Sequence, residues 1–164
     1  MKKLLSVLII LSMIFISSFS FAQSTIDKVK EGVLTFNPNI KMKDVFHFYP
    51  YFSKVQWSDN NNLVLIKGKT NINLLKEKIN NEPGKQNLQN DLNLLDGANF
   101  YFFIETKGDD FLIQTIGVEV ISKKGVIKCL FNLGTNGYNL IIRDLYTRNY
   151  VNLSVIILMM QRTK

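Results

Sequence analysis

Few side chains in this sequence are equipped for chemistry. There is one histidine and one cysteine in 164 residues. A serine triad would have to take its base from His47, and no Gly-x-Ser-x-Gly elbow is present to carry the nucleophile. Cys129 lies in the apolar, strand-like run Val-Ile-Lys-Cys-Leu-Phe, which predicts a buried structural thiol, and a lone cysteine forms no internal disulfide. One imidazole excludes metal sites built from several histidines. Asp109 and Asp110, with Glu105, make the densest acidic cluster, but aspartates in a hairpin loop serve the backbone. No glycine-rich phosphate loop occurs. A pair of catalytic carboxylates needs only convergence in space, and no spacing here singles out a pair. We therefore expect no catalytic residue, no cofactor and no metal ligand. Four residues suit contact better than conversion: His47, Tyr49, Tyr51 and Trp57 combine flat apolar bodies with polar tips. They are the candidate ligand or partner surface. For the helical stripe that includes Tyr49, packing against a sheet is the first reading and a ligand groove the alternative.

The elements that must position them follow from periodicity. Residues 24–34 open with capping types and predict a short helix ending at Gly32. Asn37-Pro38-Asn39 predicts a turn. Met42, Val45, Phe46 and Tyr49 fall on one helical face, and Pro50 should end that helix. Residues 54–58 and 63–70 read as strands joined by a polar turn, a β-hairpin. The segment 71–97 is polar and Asn-rich. It reads as two short helices, or as one helix and a loop, divided at Pro83-Gly84. Residues 99–106, 111–122 and 126–133 then alternate as strands around tight turns, which predicts an antiparallel meander. Strict alternation would place Ile113, Thr115, Gly117, Glu119 and Ile121 on one face of the second strand and Leu112, Gln114, Ile116, Val118 and Val120 on the other. Residues 138–150 suggest a helix. The run 151–160 is apolar but too short to span a membrane, and it suits a last strand, a buried helix end or an envelope anchor.

Composition sets the frame. Met1-Lys2-Lys3, an apolar core of about 12 residues and Ser20-Phe21-Ala22 form the three-part pattern of a secretory signal, with cleavage expected between Ala22 and Gln23. Removing 22 of the 164 residues leaves 142, suited to a single domain over 23–164 with 71–97 as a polar insertion. The formal charge is +7, and losing Lys2 and Lys3 leaves +5. The lysines are scattered, with no compact basic patch interleaved with aromatics, so nucleic acid is not an expected partner. No membrane anchor is expected after cleavage. The partners that remain are a protein or a cell-envelope polymer.

Val29-Lys30-Glu31-Gly32-Val33-Leu34, the Asn-Pro-Asn turn, the aromatic helix 42–52, Trp57 and a strand reaching Gly68 resemble a small domain of bacterial exported proteins and lipoproteins. The resemblance extends over residues 28–121. In layout that group is similar to β-lactamase-inhibitor-protein and outer-membrane assembly lipoprotein modules. The resemblance implies a helix-plus-sheet module that binds other proteins and catalyses nothing, and it carries over no site residues. The expected architecture is α+β: an antiparallel sheet of about four or five strands with helices packed on one face. Trp57, Phe46, Phe102 and Phe111 are the expected centre of its core. The expected function is a secreted or periplasmic non-catalytic binding module, docking through a sheet edge or face. A small secreted hydrolase using paired carboxylates and an envelope-associated structural protein are the alternatives.

Overall fold

A computed structural model of the chain describes residues 24–34, 37–60, 63–108, 110–131 and 134–150. The expected leader and the apolar run 151–160 lie outside them. The elements, in chain order, are helix α1 (Thr25–Glu31), strands β1 (Val33–Leu34) and β2 (Asn37–Lys41), helix α2 (Met42–His47), strands β3 (Phe52–Asn60) and β4 (Leu63–Thr70), helices α3 (Ile72–Asn80) and α4 (Gln86–Asn93), strands β5 (Leu95–Lys107), β6 (Asp110–Ser122) and β7 (Gly125–Phe131), and helix α5 (Gly134–Tyr146). Strands β3 to β7 form one antiparallel sheet in sequence order, and β1 pairs with β2 in a small separate ribbon. The fold is α+β, as the alternation of the strands predicts.

Local chemistry explains the boundaries. The Ser24 hydroxyl accepts the Asp27 amide N–H at 3.1 Å and so caps α1. The Asn71 side chain does the same for α3 through the Leu74 N–H at 3.3 Å. Between α3 and α4, Gly84 takes φ +76°, where a side chain is strained. The two helices settle the segment 71–97 as a helical excursion between neighbouring strands. Asn37-Pro38-Asn39 is not a turn but the start of β2. Proline is tolerated there because β2 belongs to a two-stranded ribbon with open edges.

One face of the sheet is covered. Val64 and Ile66 of β4, Ala98, Phe100, Phe102 and Ile104 of β5, and Ile116, Val118 and Val120 of β6 are all buried there. All five helices add buried residues to the same cluster, among them Val29, Phe46, Ile79, Leu92 and Ile142. Burying this surface is the main stabilising term. Phe46 and Phe102 stand at its centre, with rings 4.9 Å apart and edge to face. Trp57 and Phe111 are half-buried, packing against the cluster from its rim, so the expected aromatic core is narrower than the composition suggests.

The alternation in β6 is broken once. Thr115 pairs with Phe103 and Ile113 with Ile104, so Gln114 is an extra residue, a β-bulge. Beyond it the faces exchange. Ile113 and Phe111 join the covered side, while Leu112 turns outward and is 55% exposed. Strict alternation had placed Leu112 with Ile116.

Candidate functional site

Helix α2 and strand β3 position the four aromatic candidates. His47 ends α2 and is exposed, its ring 4.8 Å from that of Phe48. Trp57 points to the covered side of β3, edge-on to Phe46 at 5.7 Å, with the Lys30 ammonium 5.7 Å from its ring centre. His47 and Trp57 come together as walls of a cleft of 240 Å³ that wraps the edge of β3, which Phe52, Ser53, Lys54 and Val55 also line. Tyr49 does not reach this cleft. It is 2% exposed, packed on Phe52 at 4.7 Å, and offers no surface to a ligand. The helical periodicity that grouped it with Met42, Val45 and Phe46 describes its place. Tyr51 is half-buried between Tyr49 at 5.6 Å and Tyr150 at 6.5 Å, and burial raises its hydroxyl pKa. The Tyr150 hydroxyl donates to Glu82 at 3.1 Å and accepts from Lys85 at 3.1 Å. Tyr51 thus belongs to a separate cluster at the α3–α4 turn.

The second surface is the sheet face that no helix of the described residues covers. Register builds it in rows across the strands. Lys54, Lys69, Asn99, Glu119 and Lys128 form one row. The next runs Gln56, Lys67, Tyr101, Gly117 and Leu130, and beyond it lie Ser58, Leu65, Phe103 and Thr115. Leu63, Glu105 and Leu112 follow. Leu130 is 71% exposed, Val126 56% and Leu112 55%, while Leu65 and Phe103 are half-buried. An antiparallel sheet with one solvated face ordinarily turns polar residues to it. Here aliphatic side chains occupy its β6–β7 side.

Glu119 is the buried charge of this face, at 8% exposure. One carboxylate oxygen accepts from the Asn99 amide at 2.5 Å and the Tyr101 hydroxyl at 2.9 Å, and the other meets the Lys128 ammonium at 3.1 Å. Those donors, the Asn99 amide first, hold its pKa below the ordinary carboxylate value. The same arrangement, with burial foremost, raises that of Tyr101. The network is internally satisfied and rigid. Alternation along β6 groups Glu119 with Thr115 and Gly117 but gives no sign of these partners, which come from the two strands that flank it. Glu105 accepts from Gln114 and pairs with Lys107 at 3.5 Å. Six residues of β5 separate the Glu105 row from the Glu119 row, on the order of 20 Å at strand spacing, which is far wider than the carboxylate pair of a glycosidase. No group of three or more metal-ligating side chains occurs among the described residues. Cys129 is half-buried on the covered side of β7. Asp109 lies outside the described residues.

Fold and surface together define an α+β arrangement in which the helices of the described residues cover one sheet face and leave the other bare. No family model matches the chain, and no curated protein or solved structure matches it.

Proposed function

We propose that this chain is an exported, non-catalytic binding module whose docking surface for a partner protein is the bare face of its sheet. The observation that carries the proposal is the exposure of Leu112, Val126 and Leu130 on one face of the sheet. Aliphatic side chains held in this way lose free energy on contact with an apolar counter-surface. A protein supplies such a surface. A polysaccharide does not, since leucine and valine neither stack on sugars as aromatics do nor bond their hydroxyls. No helix of the described residues is long and apolar enough to cross a membrane. Export rests on the three-part leader of residues 1–22.

Two measurements test this. Mass spectrometry of the protein expressed in a bacterium should find Gln23 at the amino terminus, and an intact Met1 in the mature protein would refute export. Crosslinking in the native envelope should join the wild-type chain to one dominant protein. The double variant Leu112→Asp/Leu130→Asp should lose that product while keeping its melting temperature. Equal crosslinking by both proteins would remove the bare face from the interaction.

A further inference from the structure

The cationic end of the bare face carries information about what it meets. Lys54 and Lys69 stand directly opposite each other on β3 and β4, and Lys67 occupies the adjoining row. Directly opposed side chains have Cβ atoms about 4.5–5.5 Å apart, and like charges there are destabilising. None of the three forms an ion pair among the described residues, whose pairs are made by other lysines. The nearest acid in their row, Glu119, has both oxygens occupied by Asn99, Tyr101 and Lys128. The Lys67 ammonium lies 5.3 Å from the ring centre of Tyr101, whose hydroxyl is tied to Glu119. Among the described residues, therefore, no acid pairs with this positive charge.

Strand β3 adds two further features. It is the last strand of the sheet on its side, and no described strand pairs with its outer edge. Its main-chain groups can thus receive an extended chain. Lys54 also lines the 240 Å³ cleft between His47 and Trp57, which is of a size to take a side chain from that chain.

We infer that β3 and the Lys54–Lys67–Lys69 cluster recognise an acidic, extended polypeptide segment of the partner, its carboxylates on the lysines and one side chain in the His47–Trp57 cleft. This rests on the binding-module proposal and sharpens it, since it states the charge and conformation of what is bound.

Trp57 is the only tryptophan in the chain, so its emission reports on the cleft without a label. The purified full-length exported protein is titrated with a short peptide alternating glutamate and valine, with its lysine–valine counterpart, and with phosphatidylglycerol vesicles. The acidic peptide should shift Trp57 emission, bind more weakly as salt rises, and bind better than both other probes. In Lys54→Glu/Lys69→Glu its affinity should fall at least about tenfold, and the lysine peptide should gain affinity, because like charges across an interface repel and opposite charges attract. The double variant exchanges one like-charge pair for another and should melt close to wild type. Lys67→Glu, read the same way, serves if it does not fold. Equal binding of acidic and basic peptides would overturn the inference, as would acidic binding that the charge reversals leave unchanged. Tighter binding to the vesicles would overturn it in favour of a lipid surface. The Leu112→Asp/Leu130→Asp variant separates the two proposals. If it loses the envelope crosslink while the acidic peptide fails on wild type, the bare face stands and the acidic segment falls.

Discussion

Phe46 shows how much a single residue carries in a fold without disulfides. Its ring touches Phe102, Trp57 and Phe52 at once, at 4.9, 5.7 and 6.4 Å. Truncation to alanine removes a fully buried aromatic and should cost about 3–5 kcal/mol in thermal or denaturant unfolding. Trp57→Ala should cost less, because that ring is half-exposed. Glu119 makes the corresponding polar case. Glu119→Gln gives up the Lys128 pair and weakens the bonds from Asn99 and Tyr101, so it should destabilise by about 1–3 kcal/mol at neutral pH. The carboxyl has its pKa lowered in the folded state, so its contribution is complete above the ordinary value of 4.5 and is lost as pH falls below it. The stability gap between wild type and Glu119→Gln should therefore narrow in acid. A gap that does not depend on pH would mean that the charge of Glu119 is not what the network uses.

Elements join through contacts that leave no room for substitution. The ring of Phe52 lies on Gly68 of β4, and a Cβ added at Gly68 would come within 2.5 Å of it. Gly68→Ala should push that ring off Phe46, Tyr49 and Phe100 and destabilise by about 1–3 kcal/mol, with partial recovery in Gly68→Ala/Phe52→Leu on thermal unfolding. At the other end of the helical layer, Glu31 of α1 holds Lys41 and Lys43 at 2.6 Å each, and these bonds lower its pKa to about 2. The ties from α1 to β2 and α2 persist above pH 4.5 and loosen between 4.5 and about 2, a window in which melting curves of wild type and Glu31→Gln should converge. Helices α1 to α4 and the meander were legible in the sequence, because apolar spacing and turn residues are local signals. The Gln114 bulge was not, since a bulge is a property of two paired strands and one strand alone shows only its alternation. For the same reason strict alternation puts Leu112 on the wrong face. Proline in β2 gives a turn signal because the sequence does not say that the ribbon edge there is open.

At the scale of the molecule, the candidate site was half legible. His47 and Trp57 meet at one cleft, but Tyr49 belongs to the core and Tyr51 to another cluster, since residues two apart on either side of Pro50 need not share a surface. The make-up of the bare face is not visible in the sequence, because each of its rows draws on three to five strands and each strand contributes a single residue to a row. The chain leaves the sheet after β4 and re-enters beside it at β5, with residues 71–94 looped out as α3 and α4. Pairing within β3–β4 and within β5–β6–β7 joins near neighbours, and the β4–β5 seam alone must close over a long excursion. That seam divides the sheet into two parts, a local hairpin and a local meander, and their junction should be the slowest pairing to form. A chain severed between Pro83 and Gly84, at the outermost turn of the excursion, should therefore reassemble from its two pieces when they are produced together, with the emission of Trp57 returning to its intact value as the seam zips shut.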